Sequence, residues 1–175
     1  NKSKIMYKKE EVDARLISSD QQLDLALLKA KVKNKHFIKF SPKSPKKAQS
    51  ILAAGFPFGK ALSDDLKITS GTINSLKGLG NNTALLQIDA TINPGSSGGP
   101  IVDKKIGYLV AVATAKLNKE FTKEVFGQVG DNTNYGIKSS QVRDFLEAND
   151  IKVATKTKKL KISELENSTV FISCK

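Results

Sequence analysis

The chain has 175 residues, 39% hydrophobic and 26% charged, the composition of a globular domain and not of a disordered or collagen-like polypeptide. No apolar run approaches the roughly 18 residues of a spanning helix, and Cys174 and His36 are the only residues of their types, which excludes an internal disulfide and a zinc site of the Cys/His kind. The net charge of +12 raises nucleic acid as a partner, but all of the 29 basic residues except Arg15 and Arg143 are lysines, scattered in small clusters without an aromatic platform, so the charge reads as a solvated surface.

Short β-branched runs bounded by Gly, Pro, Asn, Asp and Ser predict strands over 4–7, 12–17, 23–29, 37–40, 50–55, 67–75, 84–88, 100–103, 107–115 and 134–137. The intervening stretches 57–65, 78–82 and 94–99 carry the Gly and Pro of turns and close backbone approaches. Val142, Phe145 and Leu146 recur at three- and four-residue spacing behind Ser139 and Ser140, either of which suits an N-cap, and predict one helix after the strands. Residues 151–166 form a lysine-rich connector, and STVFISCK at the end reads as one more strand, docked or free. The first residues lack the apolar stretch and cleavage point of a secretory signal. The pattern is that of an all-β protein with a C-terminal helix.

The stretch from Gln87 to Val102 joins two apolar strands through Asn93-Pro94-Gly95-Ser96-Ser97-Gly98-Gly99. Glycines at 95, 98 and 99 let the backbone approach a ligand and let several N–H groups point into one small volume. An oxyanion needs that arrangement: if Ser97 attacks a carbonyl carbon, the amides of Gly95 and Ser97 can receive the developing negative charge. Taken alone, a Gly/Ser-rich hairpin explains the same residues.

Gly95-Ser96-Ser97-Gly98-Gly99-Pro100 resembles the nucleophile loop of trypsin-like serine proteases, and the preceding Ile-Asn resembles that of the HtrA/Deg branch. Five further segments follow the same order. Asp24-Leu25-Ala26-Leu27-Leu28 is similar to the strand start that bears the triad aspartate. Ala54-Gly55-Phe56-Pro57-Phe58-Gly59 is similar to the GNPFG turn, and Ile68-Thr69-Ser70-Gly71-Thr72-Ile73 to the strand that follows it. Gly107 to Ala115 is similar to the strand lining the specificity pocket, and Tyr135-Gly136-Ile137 to the GFAIP segment before the last helix.

The resemblance spans roughly residues 5–150 and implies a chymotrypsin-like double β-barrel with the active site between the barrels. It divides the chain into a partial N-terminal barrel (1–48), a C-terminal barrel with its helix (49–150) and a lysine-rich tail with an extra strand (151–175). It further implies a serine endopeptidase acting on polypeptide substrates, without cofactor or metal, in a periplasmic or secreted setting. Ser97 is then the nucleophile, Asp24 the carboxylate that orients the base, and the amides of Gly95 and Ser97 the oxyanion hole. Thr91, Ile92, Ala113, Thr114, Ala115 and Lys116 line the substrate pocket. Thr91 stands where trypsin-type enzymes hold an acidic residue, which favours a small or medium apolar side chain over Lys or Arg; Lys116 and the loop 118–132 read either as a gate to that pocket or as a plain surface loop.

In the family the triad runs His, Asp, Ser, so the base is expected upstream of Asn1; His36 follows Asp24 and reads as a surface or inter-barrel residue. Two alternatives stay open: a fragment of a protease whose base lies upstream, with little activity by itself, or a pseudoprotease that binds peptides without turnover. Ser96 replaces the aspartate that pairs with a newly cut N-terminus in secreted relatives, so activation by that switch is not expected. Asp89 reads as structural.

Overall fold

The computed structural model describes residues 3–58, 65–114, 133–155 and 161–174. Two β-sheets account for most of them.

The first sheet begins with β1 (Ser3–Tyr7), β2 (Glu10–Asp20) and β3 (Leu25–Ala30). Lys8 and Lys9, both at positive φ, make the two-residue turn that matches the right-handed twist of the flanking strands. The register pairs Ile5 with Val12, Ser3 with Ala14 and Ala14 with Ala30. Strand alternation therefore puts Ile5, Val12, Ala14, Leu16 and Leu28 on one face, and Lys4, Glu11, Asp13 and Arg15 on the other, where Lys4 pairs with Glu11 at 3.2 Å. The fourth strand, β10 (Phe171–Cys174), comes from the tail and pairs antiparallel with β1, Ile172 against Ile5. The order is β10-β1-β2-β3, and among the described residues the sheet stays open. Leu16 and Ile172 on its apolar face are accordingly 55% and 45% exposed.

The second sheet closes. Strands β4 (Ser50–Gly55), β5 (Lys67–Ser75), β6 (Leu85–Ile88), β7 (Pro100–Asp103), β8 (Leu109–Thr114) and β9 (Asn134–Lys138) form a barrel in the order β4-β5-β6-β9-β8-β7. Closure removes sheet edges and buries Ile51, Ile73, Leu86, Ile88 and Ile101 almost completely. Strand β8 is apolar from Leu109 to Ala113 because both its faces are covered: Ala111 and Ala113 face the barrel core, while Leu109 and Val112 pack with Phe40 and Val142. The fold is thus the expected all-β arrangement, a closed six-stranded barrel beside a four-stranded sheet that stays open among the described residues.

Helix α1 (Ser139–Glu147) lays Val142, Phe145 and Leu146 on Leu25, Phe40, Leu109 and Ile137. Neither Ser139 nor Ser140 caps it. The Lys138 amide still pairs with the Ala84 carbonyl at 2.9 Å, so β9 runs directly into the helix and Lys138 occupies the N-cap without a side-chain bond. The predicted strand at 37–40 reduces to one bridge, Phe40 with Leu109.

The tail is docked. A second helix, α2 (Ile162–Ser168), buries Leu165 fully against Ala54 and Val102 of the closed barrel, and Phe171 meets Phe56 edge-on at 5.9 Å. No helix among the described residues is long and apolar enough to cross a membrane.

Candidate active site

The serine loop connects β6 to β7 and is held on three sides. At its entry, the Asp89 carboxylate accepts the Thr72 amide and, at 2.8 Å, the Thr72 hydroxyl. These donors, the backbone one foremost, hold the Asp89 pKa below the usual 3.8 against a smaller opposing effect of burial. The structural role expected of Asp89 is the role it has. At the loop tip, the Phe58 amide donates to the Pro94 carbonyl at 2.7 Å and the Ser96 amide to Asn93 at 3.0 Å. At its exit, the Gly98 amide donates to the Ala113 carbonyl and the Ala113 amide to the Gly99 carbonyl, both at 2.8 Å.

The loop sequence follows from this seating. Gly95 and Gly98 have φ of 93° and 83°, the left-handed region that glycine tolerates best. At Gly99 a β-carbon would run into the Ala54 carbonyl oxygen of β4. Ser96 is buried against Gly55, whereas Ser97 is exposed at the surface of the loop. The amides of Ser96, Gly98 and Gly99 are all engaged; those of Gly95 and Ser97 have no hydrogen-bond acceptor among the described residues. Two uncommitted amides beside an exposed hydroxyl can receive an incoming carbonyl oxygen.

Asp24 immediately precedes β3 in the left-handed region, φ 59°, which aspartate visits more readily than most residues. Its Oδ2 accepts the Thr114 hydroxyl at 2.9 Å. Asp24 and the serine loop are therefore tied to successive residues of one strand, Thr114 and Ala113.

A cavity of about 270 Å³ abuts Ser97. Its walls combine Gly95 to Pro100 with Ile38, Phe56 and Val112, and, from the tail, Val170, Phe171 and Ile172. None of these lining side chains is ionisable. Asp24 and Thr114 border a separate cavity of about 150 Å³. Of the residues expected to line the substrate pocket, Thr91 is exposed and its carbonyl accepts the Thr69 hydroxyl at 3.0 Å, while Ile92 and Ala113 pack with the barrel core. None of these three borders the cavity at Ser97. Ala115, Lys116 and the loop 118–132 lie outside the described residues. His36 is exposed and borders two other cavities.

The tail wall of the cavity is the feature that sequence reasoning did not place. Its local signal, the run Val170-Phe171-Ile172, was legible as a strand, but its partner, β1, lies at the other end of the chain.

Residues 2–112 match the Trypsin-like peptidase domain family. The uncharacterised protein y4bJ of Sinorhizobium fredii is 30% identical over 154 residues, covering 87% of this chain and 24% of that protein. A probable periplasmic serine endoprotease, DegP-like, of Pseudomonas putida is 38% identical over 107 residues, 58% of this chain and 21% of its own length. Among solved structures, the serine endoprotease of Yersinia pestis superposes with a TM-score of 0.62 at 27% identity, covering 79% of this chain and 44% of that one. The chain thus spans about a quarter of the length of the curated relatives it matches.

Proposed function

The chain belongs to the trypsin-like peptidase domain family, in its HtrA-type branch, and we propose on that basis that it is a serine endopeptidase domain using Ser97 as nucleophile. Ser97 Oγ attacks the scissile carbonyl carbon and passes its proton to a histidine base; the Gly95 and Ser97 amides hold the oxyanion. Collapse expels the amine, protonated by the same histidine, and leaves an acyl-enzyme that water hydrolyses. Each oxyanion donor contributes about 3–4 kcal/mol to lowering the barrier. Asp24 keeps the imidazole oriented, its own carboxylate steadied by Thr114.

The base in this reading comes from polypeptide outside residues 1–175, since His36, the one histidine of the sequence, does not border the cavity at Ser97. The substrates are polypeptides. The observation that carries the proposal is the anchoring of Asp24 and of the Ser97 loop on adjacent residues of β8, with the Gly95 and Ser97 amides left uncommitted.

The second reading, a peptide-binding pseudoprotease, is favoured by the lack of an ionisable side chain on the cavity walls. Incubating the full-length protein and its Ser97→Ala variant with an unfolded polypeptide separates the two. Cleavage by the first alone supports the peptidase; binding without cleavage by both supports the alternative.

A further inference from the structure

The N-terminus of α1 is built in a way that its own chain leaves electrostatically incomplete. The amides of Ser139, Ser140 and Gln141 have no acceptor among the described residues, the N-cap is Lys138 without a capping bond, and the first turn holds no acidic residue. A lysine at the positive end of a helix is the reverse of the favourable arrangement. Lys138, Ser139 and Ser140 border a cavity of about 270 Å³ shared with Ser41, Lys43, Ser44 and Arg143, and no carboxylate is among its lining residues.

A second observation points to a ligand. Ser139 is 6% exposed and borders this cavity, and its hydroxyl has no hydrogen-bond partner among the described residues. The Arg143 Nε is buried without a partner among the described residues, and buried polar atoms are ordinarily paired. Arg143, one helical turn on and so on the same side of α1, donates to the Ser41 carbonyl at 2.9 Å and lies over the Phe40 ring, which fixes its guanidinium between the helix and the connection between the two sheets. Burial and the nearby charge of Lys77 press the Lys138 pKa downward.

We propose that this cavity binds a phosphate group, received by the first-turn amides of α1 and the Ser139 hydroxyl and neutralised by Lys138, Lys43 and Arg143. Unpaired helix amides with hydroxyl and cationic neighbours are the chemistry that recognises a tetrahedral oxyanion. The space admits the group either as free phosphate or as a small phosphate monoester. The site stands apart from the Ser97 cavity, with which it shares no lining residue, and does not depend on peptidase activity.

Isothermal titration of the full-length protein with inorganic phosphate, O-phosphoserine and adenosine monophosphate, at ionic strength held constant with chloride, tests this. One site per chain is expected, with affinity reduced about tenfold or more by Ser139→Ala and by Lys138→Gln. Lys43→Gln, on an exposed loop, gives the same readout without touching the helix should either of those variants fail to fold. Tighter binding of a monoester than of phosphate identifies the esterified group as the ligand, and the reverse identifies the free anion. Absence of saturable binding by all three compounds, or affinities unchanged in every folded variant, overturns the proposal.

Discussion

Two neighbouring glycines of the serine loop are required for different physical reasons, and alanine at each separates them. At Gly98 an added β-carbon meets no atom within 4 Å, so the penalty is conformational: φ of 83° costs an L-residue about 1–2 kcal/mol. At Gly99 the β-carbon strikes the Ala54 carbonyl oxygen and comes within 2.9 Å of the Ser96 carbonyl oxygen. Strand β4 is held by β5 on one side and β7 on the other, so the loop has to withdraw. Overpacking costs about 1–3 kcal/mol. Withdrawal also weakens the bonds from Gly99 to Ser96 and from Ala113 to Gly99, each worth about 1 kcal/mol. We therefore expect Gly99→Ala to lose about 3–4 kcal/mol and Gly98→Ala about 1–2 kcal/mol in equilibrium urea unfolding. A Gly99→Ala variant less destabilised than Gly98→Ala, or by under about 1 kcal/mol, refutes the seating of the loop against β4.

Four further outcomes are expected. Asp24→Asn leaves folding intact, because an amide oxygen still accepts from Thr114, but lowers kcat by about 10⁴ through the wrong imidazole tautomer; steady-state kinetics of the full-length protein measures this. Thr114→Val removes the support of Asp24, costs about 1 kcal/mol of stability in urea unfolding and lowers kcat more than it raises KM. Leu165→Ala costs about 2–5 kcal/mol, since that side chain is fully buried between α2 and the closed barrel; a negligible loss in urea unfolding means that the tail is not docked. Asp89 has a depressed pKa, so its contribution is complete above the unfolded-state value near 3.8 and disappears as pH falls through the folded-state value. Asp89→Asn should lower Tm at neutral pH and flatten its fall between about pH 5 and pH 2, and parallel Tm–pH profiles for variant and parent contradict that account.

The strands were legible where burial on one face or both leaves a pattern. Alternation marks β2, with Val12 and Ala14 between charged neighbours, and the unbroken apolar run of β8 reflects cover on both its faces. The segment at 37–40 has strand composition but gains only one bridge, because Pro42 and Pro45 soon follow and its Ile38 and Phe40 side chains instead pack with Leu25, Leu109 and Val142. Helix α2 escaped notice within a lysine-rich stretch, although Ile162 and Leu165 are three apart and the Glu164 carboxylate accepts the Lys161 amide at 3.0 Å. The serine loop could be read because its chemistry is local. The tail wall of the cavity could not, since the pairing of β10 with β1 joins the two ends of the chain and leaves no periodicity to detect.

The central claim is that Ser97 is a nucleophile served by the Gly95 and Ser97 amides. Treating the full-length protein with a fluorophosphonate and locating the adduct by peptide mass spectrometry tests it most directly. The account predicts a single phosphonylated residue, Ser97, with labelling abolished by Ser97→Ala and much slowed by Asp24→Asn. An unmodified Ser97 in folded full-length protein, or labelling at the same rate on another serine, contradicts it.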